Sequence, residues 1–129
     1  MYMTAGMRQR ILDRFRRLAD IDEIDKAFIS YCERVNRHPE FVTTQCCTGH
    51  ASKGRNASGR TDRGYLSIKG TEAGTKLMME HIAPALFSAP YVYSVELCFE
   101  NYVPRFVFWF QPRYFKSFAE SMTALIRSV

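Results

Sequence analysis

Two alternating stretches in the C-terminal half restrict this chain more than any other feature. Residues 91–99 place Tyr91, Tyr93, Val95, Leu97 and Phe99 at every second position, and residues 105–111 answer with Phe106, Phe108 and Phe110. A period of two puts all of these rings on one side of extended chain. The link between them, from Glu100 to Pro104, suits a hairpin. An aromatic sheet face of this kind has to be covered, and the rest of the sequence supplies helices to do it.

Met7, Ile11, Phe15 and Leu18 fall at helical spacing, with Arg8, Arg10, Arg14, Arg16 and Arg17 on the remaining surface. Asp20 and Glu23 form a capping-box-like pair that predicts the start of a second helix. Its apolar stripe would be Ile21, Ile24, Phe28, Cys32 and Val35, and His38-Pro39 would end it. Strands are predicted over 41–47 and 64–69. Thr71 opens a third helix running through Leu77, Met78 and Ile82 towards Pro84, and a last helix carries Phe115, Phe118, Met122 and Leu125.

The predicted fold class is α+β: two N-terminal helices, then two β-β-α units forming a four-stranded sheet packed against helices. The 129 residues make one domain, with a helical part at 1–38 and units at 41–88 and 91–129. Val107 and Trp109 oppose the phenylalanines, so a second apolar face is expected, covered by more helix or lying at a subunit interface, and a homo-oligomer is expected.

A hydrophobic fraction of 47% excludes a disordered chain, and the net charge of +5 favours acidic partners such as nucleotides or nucleic acid. No apolar run reaches membrane-spanning length, and the first residues lack the apolar core of a secretion signal. A cytoplasmic location without membrane contact is therefore expected, with Cys32, Cys46, Cys47 and Cys98 as free thiols.

Residues 43–50, Thr-Thr-Gln-Cys-Cys-Thr-Gly-His, are the candidate site. Hydroxyls, thiols, a glycine and an imidazole converge there without a packing reason. Gly49 allows a sharp turn whose backbone N–H groups can cradle phosphate oxygens. The long segment 49–64 adds Lys53, Arg55, Arg60 and Arg63 against a single Asp62, and arginine clamps phosphate in a bidentate way. Thr44, Cys47, Thr48, Gly49 and His50 would form the rim, beside the hydroxyl of Thr43, with Arg55, Arg60 and Arg63 supplying charge.

Other chemistries have weaker support. His38, Cys46, Cys47 and His50 lack the second, separated pair of a zinc site, and adjacent strand cysteines point to opposite faces. No metal is predicted, and His81 reads as a surface or satisfied core residue. A Cys47–His50 thiolate pair oriented by Asp62 would be a nucleophile, yet a cysteine is more often a small hydrophobe. The helix-one arginines can follow a nucleic-acid backbone or form a solvated face beside Asp20, Asp22, Glu23 and Asp25. P-loop, Rossmann, His-Glu-x-x-His and Gly-x-Ser-x-Gly patterns are absent.

The segment Phe41-Val-Thr-Thr-Gln-Cys-Cys-Thr-Gly-His50, with its lead-in Asn36-Arg-His-Pro-Glu40, resembles part of the tRNA wybutosine-synthesising methyltransferase family. Cys47, Thr48 and Gly49 match that family's Cys-Ser-Gly positions, and Phe108-Trp-Phe-Gln-Pro112 resembles its Phe-Glu-Pro strand end. His50 stands where the family has arginine, and Gln45 and Cys46 replace serines. The Cys-x-Gly-His strand end is also similar to small uncharacterised phage and bacterial proteins. The resemblance implies nucleotide handling and, if the activity carries over, S-adenosylmethionine as cofactor and a modified guanosine of tRNA as substrate.

Three functions follow as expectations. The first is binding or sequestration of a nucleotide-like, phosphate-bearing ligand without catalysis and without a cofactor. The alternatives are an S-adenosylmethionine-dependent tRNA methyltransferase and a basic nucleic-acid module using the helix-one arginines.

Overall fold

The structure is a computed structural model that describes residues 1–49 and 63–129. Helix α1 (Ala5–Asp20) and α2 (Lys26–Asn36) precede β1 (Phe41–Cys47) and β2 (Gly64–Gly70). Next come α3 (Glu72–Leu77), a π turn (Met78–Ile82) and α4 (Ala83–Phe87) in one continuous rod. Strands β3 (Val92–Glu100) and β4 (Val103–Phe110) follow, and a 3₁₀ turn (Pro112–Tyr114) leads into α5 (Phe115–Ser128). The α+β class and the element order are those the sequence predicts.

The four strands form one antiparallel sheet in the order β1-β2-β4-β3. Each β-β-α unit contributes an outer first strand and an inner second strand, so the units meet where β2 pairs with β4. Two of the predicted helix boundaries differ from those observed. Asp20 ends α1 instead of capping α2, whose N-cap position is Asp25, because Asp22 takes a left-handed conformation (φ 60°) that breaks the helical run. Ile21 and Ile24 therefore lie in a connection, outside the α2 stripe. Nor does Pro84 end the third helix: a π turn shifts the hydrogen-bonding register just ahead of it, and the rod continues to Phe87.

The main core lies on one sheet face. Phe106, Phe108 and Phe110 of β4 and Leu66 and Ile68 of β2 pack under Phe28 and Cys32 of α2, Met78 and Ile82 of the rod, and Phe118 and Met122 of α5. Phe110 stacks on Phe118 with ring centroids 4.4 Å apart, and Phe28 meets Phe115 edge-on at 4.8 Å. Emptying such a position costs on the order of 3–5 kcal/mol. A second cluster joins Met3 and Leu12 to Val42 and Val103, with Met7 and Ile11 beside them. Val42 follows Phe41 in the strand and so points to the other side of the sheet. Helix α1 thus closes the β1 edge, where Arg8 pins it by donating to the carbonyls of Asn36 (2.6 Å), Phe41 (3.0 Å) and His38 (3.2 Å).

Val107 is buried, and Trp109 is half-buried against Tyr65 at 5.2 Å between rings. The face opposite the main core is therefore not an open apolar surface. Exposed apolar side chains include Leu97 and Phe99 of β3 and Met79 and Phe87 of the rod beside it. No helix among the described residues is long and apolar enough to cross a membrane.

Candidate functional site

Strand β1 is irregular at its centre. Thr43 pairs with Ile68 and Gln45 with Ser67, so Thr44 is an extra residue with no partner of its own in β2. A regular strand shows every second side chain to one face; a bulge bends the strand and re-aims its residues. Here Thr43, Thr44, Gln45 and Cys46 all line one cavity of about 340 Å³ beside α1. That volume lies at the lower end of the range for small-molecule sites.

The cavity has two chemically different sides. Ile11, Phe15 and Leu18 of α1 and Ile24 of the α1–α2 connection give it an apolar wall, with Arg14 also among its lining residues. The sheet side is polar: Thr44, Gln45, Tyr65 and Lys69, with Glu100 and Asn101 from the β3–β4 turn. Thr44 Oγ1 lies 2.8 Å from Ser67 Oγ, within hydrogen-bonding distance.

Lys69 is the least expected group, being only 5% exposed. Strand alternation places it with Tyr65 and Ser67, away from Leu66 and Ile68. Its ammonium is 2.8 Å from Glu100 Oε1, and Arg105 reaches Glu100 Oε2 at 3.2 Å. A buried ammonium is tolerated only when paired in this way. The hydrogen bond from Lys69 holds the Glu100 carboxyl below the usual carboxylate range, with Lys69, Arg105 and Arg14 adding favourable charge. Arg105 also donates to Gln45 Oε1 and to Cys98 Sγ, both at 3.2 Å. The cluster of Lys69, Arg105 and Glu100 carries one net positive charge; at the cavity wall Arg14 adds another and Glu23, also lining it, offsets that one.

At the end of β1, the residues expected to hold an anion are occupied by the protein itself. The backbone N–H and hydroxyl of Thr48 both donate to Asp25 Oδ2, at 2.8 and 3.1 Å. A protein carboxylate therefore stands where a phosphate oxygen would sit. Thr43 exchanges its hydrogen bonds with Asn36, and Gly49 N–H points at Cys47 Sγ at 3.4 Å. Burial pushes the Cys47 thiol up, with Asp25 and Cys46 adding to it against the Gly49 hydrogen bond. Cys46 is pushed further by its hydrogen bond with Cys32 and by burial. Both stay protonated at neutral pH, which disfavours a thiolate nucleophile.

Gly49 makes the turn predicted for it, with φ of 95°. A methyl group at that position would collide with the ring of Pro112 and press on the backbone of Arg63. The strand end at 47–49 and the Gln111-Pro112 corner, far apart in sequence, are thus brought together. Arg63 turns elsewhere: its guanidinium lies over the Tyr93 ring, 5.3 Å from the centroid. His50, Arg55 and Arg60 lie outside the described residues, as do Lys53 and Asp62. Of the expected rim, Thr44 is the member that lines the cavity; Cys47, Thr48 and Gly49 continue from its Cys46 end.

Lys69 and Glu100 are the residues sequence reasoning missed; it places Arg14 only with the helix-one arginines, and Tyr65 only as a ring that stacks on a base or packs. A lysine two positions after a serine in an otherwise apolar strand was the available signal for Lys69. Among the described residues, no cluster of His, Cys, Asp and Glu has the arrangement of a metal site. No protein-family model, curated protein or solved structure matches the chain.

Proposed function

We propose that the protein binds or sequesters a small nucleotide-like, phosphate-bearing molecule in the cavity between α1 and the bulged strand β1, without transforming it. The observation that carries this reading is the two-sided lining: an apolar wall from α1 facing hydroxyls, an amide and a buried ammonium on the sheet. A flat base fits between such walls. Glu100 and Thr44 can meet ribose hydroxyls or ring N–H groups, while Arg14 and Lys69 favour the anionic end. Cys46 and Cys47, the thiols beside the cavity, are held protonated and so do not supply a nucleophile.

The rim expected from sequence is an extension of the same site. Cys47, Thr48 and Gly49 continue β1 from the cavity, and the segment carrying His50, Arg55 and Arg60 starts from Gly49. On this reading, any phosphate that reaches Thr48 has to displace the Asp25 carboxylate.

The test is ligand capture. Purified protein is incubated with a panel of mononucleotides, cyclic nucleotides, S-adenosylmethionine and short RNA, filtered, heated, and the released compound identified by mass spectrometry. Recovery of an unchanged nucleotide supports the reading. Retained S-adenosylmethionine or methylated RNA would replace it with methyl transfer. Capture of RNA alone, lost with salt and with the outer arginines Arg10 and Arg17, would replace it with a nucleic-acid module.

A further inference from the structure

Strand β3 is the outer strand of the sheet on the side away from α1, and its free edge has a defined hydrogen-bonding pattern. Asn101 and Tyr102 both have positive φ (53° and 64°), which makes the β3–β4 link a two-residue type I′ turn closed by the pair Glu100–Val103. The pair closing such a turn exchanges both hydrogen bonds, and bonded pairs recur at every second residue. Glu100, Cys98 and Glu96 are therefore bonded to β4. Val95, Leu97 and Phe99 turn their backbone N–H and C=O groups outward.

We infer that this edge pairs with the same edge of a second copy, antiparallel and about a two-fold axis at Leu97, giving one continuous sheet across a dimer. In this register Leu97 faces Leu97, and Val95 faces Phe99 of the other copy. Every outward donor between Val95 and Phe99 then meets an outward acceptor. The other registers fail. An axis at Glu96 sets two carboxylates face to face, and an axis at Cys98 sets Glu96 opposite Glu100 of the other copy on both sides of the axis. An axis at Phe99 runs into the turn, and an axis at Val95 meets the irregularity between Val92 and Ser94. With the axis at Leu97, Glu96 lies opposite Cys98 and Glu100 opposite Ser94, so no like charges oppose each other.

The side chains point the same way. Phe99 is 70% exposed and Leu97 46%, and Met79 (52%) and Phe87 (64%) of the adjacent rod are also open. Met79, Phe87 and Leu97 line an apolar groove with Val95 and Phe106. Free strand edges are normally guarded by lysine, proline or a mid-strand bulge. From Ser94 to Glu100 the sequence Ser-Val-Glu-Leu-Cys-Phe-Glu has no lysine and no proline, its irregularity lies before it, and its exposed charge, Glu96, falls opposite Cys98 of the other copy in this register. A self-complementary, unguarded strand is suited to a copy of itself.

Sedimentation equilibrium over a range of concentrations tests this. The native chain is expected to show a reversible monomer–dimer equilibrium. Leu97→Pro removes an outward N–H that β4 does not use, and should give a folded monomer. Should that variant fail to fold, Leu97→Lys keeps every backbone donor, places two charges across the axis, and should abolish the dimer. Register is read separately. Positions 96 and 98 of opposite copies form a non-bonded pair, the closer-spaced kind in an antiparallel ladder. The thiol introduced by Glu96→Cys should therefore exchange with oxidised glutathione into a covalent dimer, releasing two reduced glutathiones, with peptide mapping joining position 96 to Cys98 of the other copy. A native chain that stays monomeric at all concentrations overturns the inference. So does a dimer that survives Leu97→Lys, or a cross-link that avoids Cys98.

Discussion

At one edge of the sheet, β1 is bulged at Thr44, lies against α1 and shares a cavity with it; at the other, β3 runs from Ser94 to Glu100 with its outward backbone groups uncovered. Both are first strands of a β-β-α unit, and both pair with an inner strand of similar apolar alternation. What differs is the finish. The β1 edge has a helix pinned by Arg8 and an inserted residue that opens room for a ligand. The β3 edge has no covering helix, its inserted residue, Tyr93, lies at the start of the strand, and Tyr93, Leu97 and Phe99 are exposed beside Glu96. On the proposed readings, a covering helix and a bulge at mid-strand, not hydrophobic pattern, separate the ligand cavity from the pairing edge.

The strongest way to break the comparison is to uncover the β1 edge. Arg8→Ala removes three hydrogen bonds to backbone carbonyls that nothing else in α1 replaces. It should cost about 3 kcal/mol in urea unfolding, since charged hydrogen bonds contribute roughly 1.5–3 kcal/mol each without full additivity. Arg8→Lys should recover little of it, because an ammonium cannot span the three carbonyls. A loss under about 0.5 kcal/mol, the range of ordinary surface substitutions, would show that α1 holds the edge by packing alone.

A smaller effect sharpens the ligand side. Arg14 is exposed and lines the cavity, so Arg14→Ala should leave the fold intact while weakening capture of the bound nucleotide about tenfold, or about 1.4 kcal/mol. Equilibrium dialysis reads this directly; equal affinity in variant and native chain would move the anionic end away from α1. On the β3 side, Tyr102 holds a left-handed conformation that favours glycine and is 83% exposed, so little packing is at stake. Tyr102→Gly should raise stability by about 0.5–1 kcal/mol by relieving the turn. A decrease would mean that the Tyr102 ring contributes to the turn in a way its exposure hides.

The gentlest test uses pH. The Glu100 carboxyl is held below its ordinary value by Lys69, so its contribution is present above the ordinary carboxylate pKa and fades as pH falls through the lower folded value. Glu100→Gln should therefore be less stable than the native chain at pH 7, and the two should converge in acid. A gap that stays constant down to pH 2 would assign the effect to packing.

Much of the fold was legible because strand alternation leaves a clear imprint. Phe106, Phe108 and Phe110 specified one buried face, and β1 begins at Phe41 and ends at Cys47, the bounds its apolar lead-in suggested. Helix ends were less legible. Asp20 and Asp25 have the same capping chemistry, and only the left-handed turn at Asp22 decides between them. The π turn before Pro84 likewise depends on how the rod packs. The strand-end motif drew attention to the right strand but to only part of its surroundings. Thr44 as a bulge, α1 as a cavity wall and Lys69 paired with Glu100 all arise from elements distant in sequence, which no local pattern encodes.

Occupation of the β1 edge by a ligand is tested most directly by amide chemical shifts of ¹⁵N-labelled protein titrated with the captured nucleotide. The prediction is saturable shifts at Thr43–Cys46, Tyr65, Lys69 and Arg14, with Ser94–Phe99 unmoved. Shifts confined to the outer arginines Arg10 and Arg17, or to β3, would contradict it.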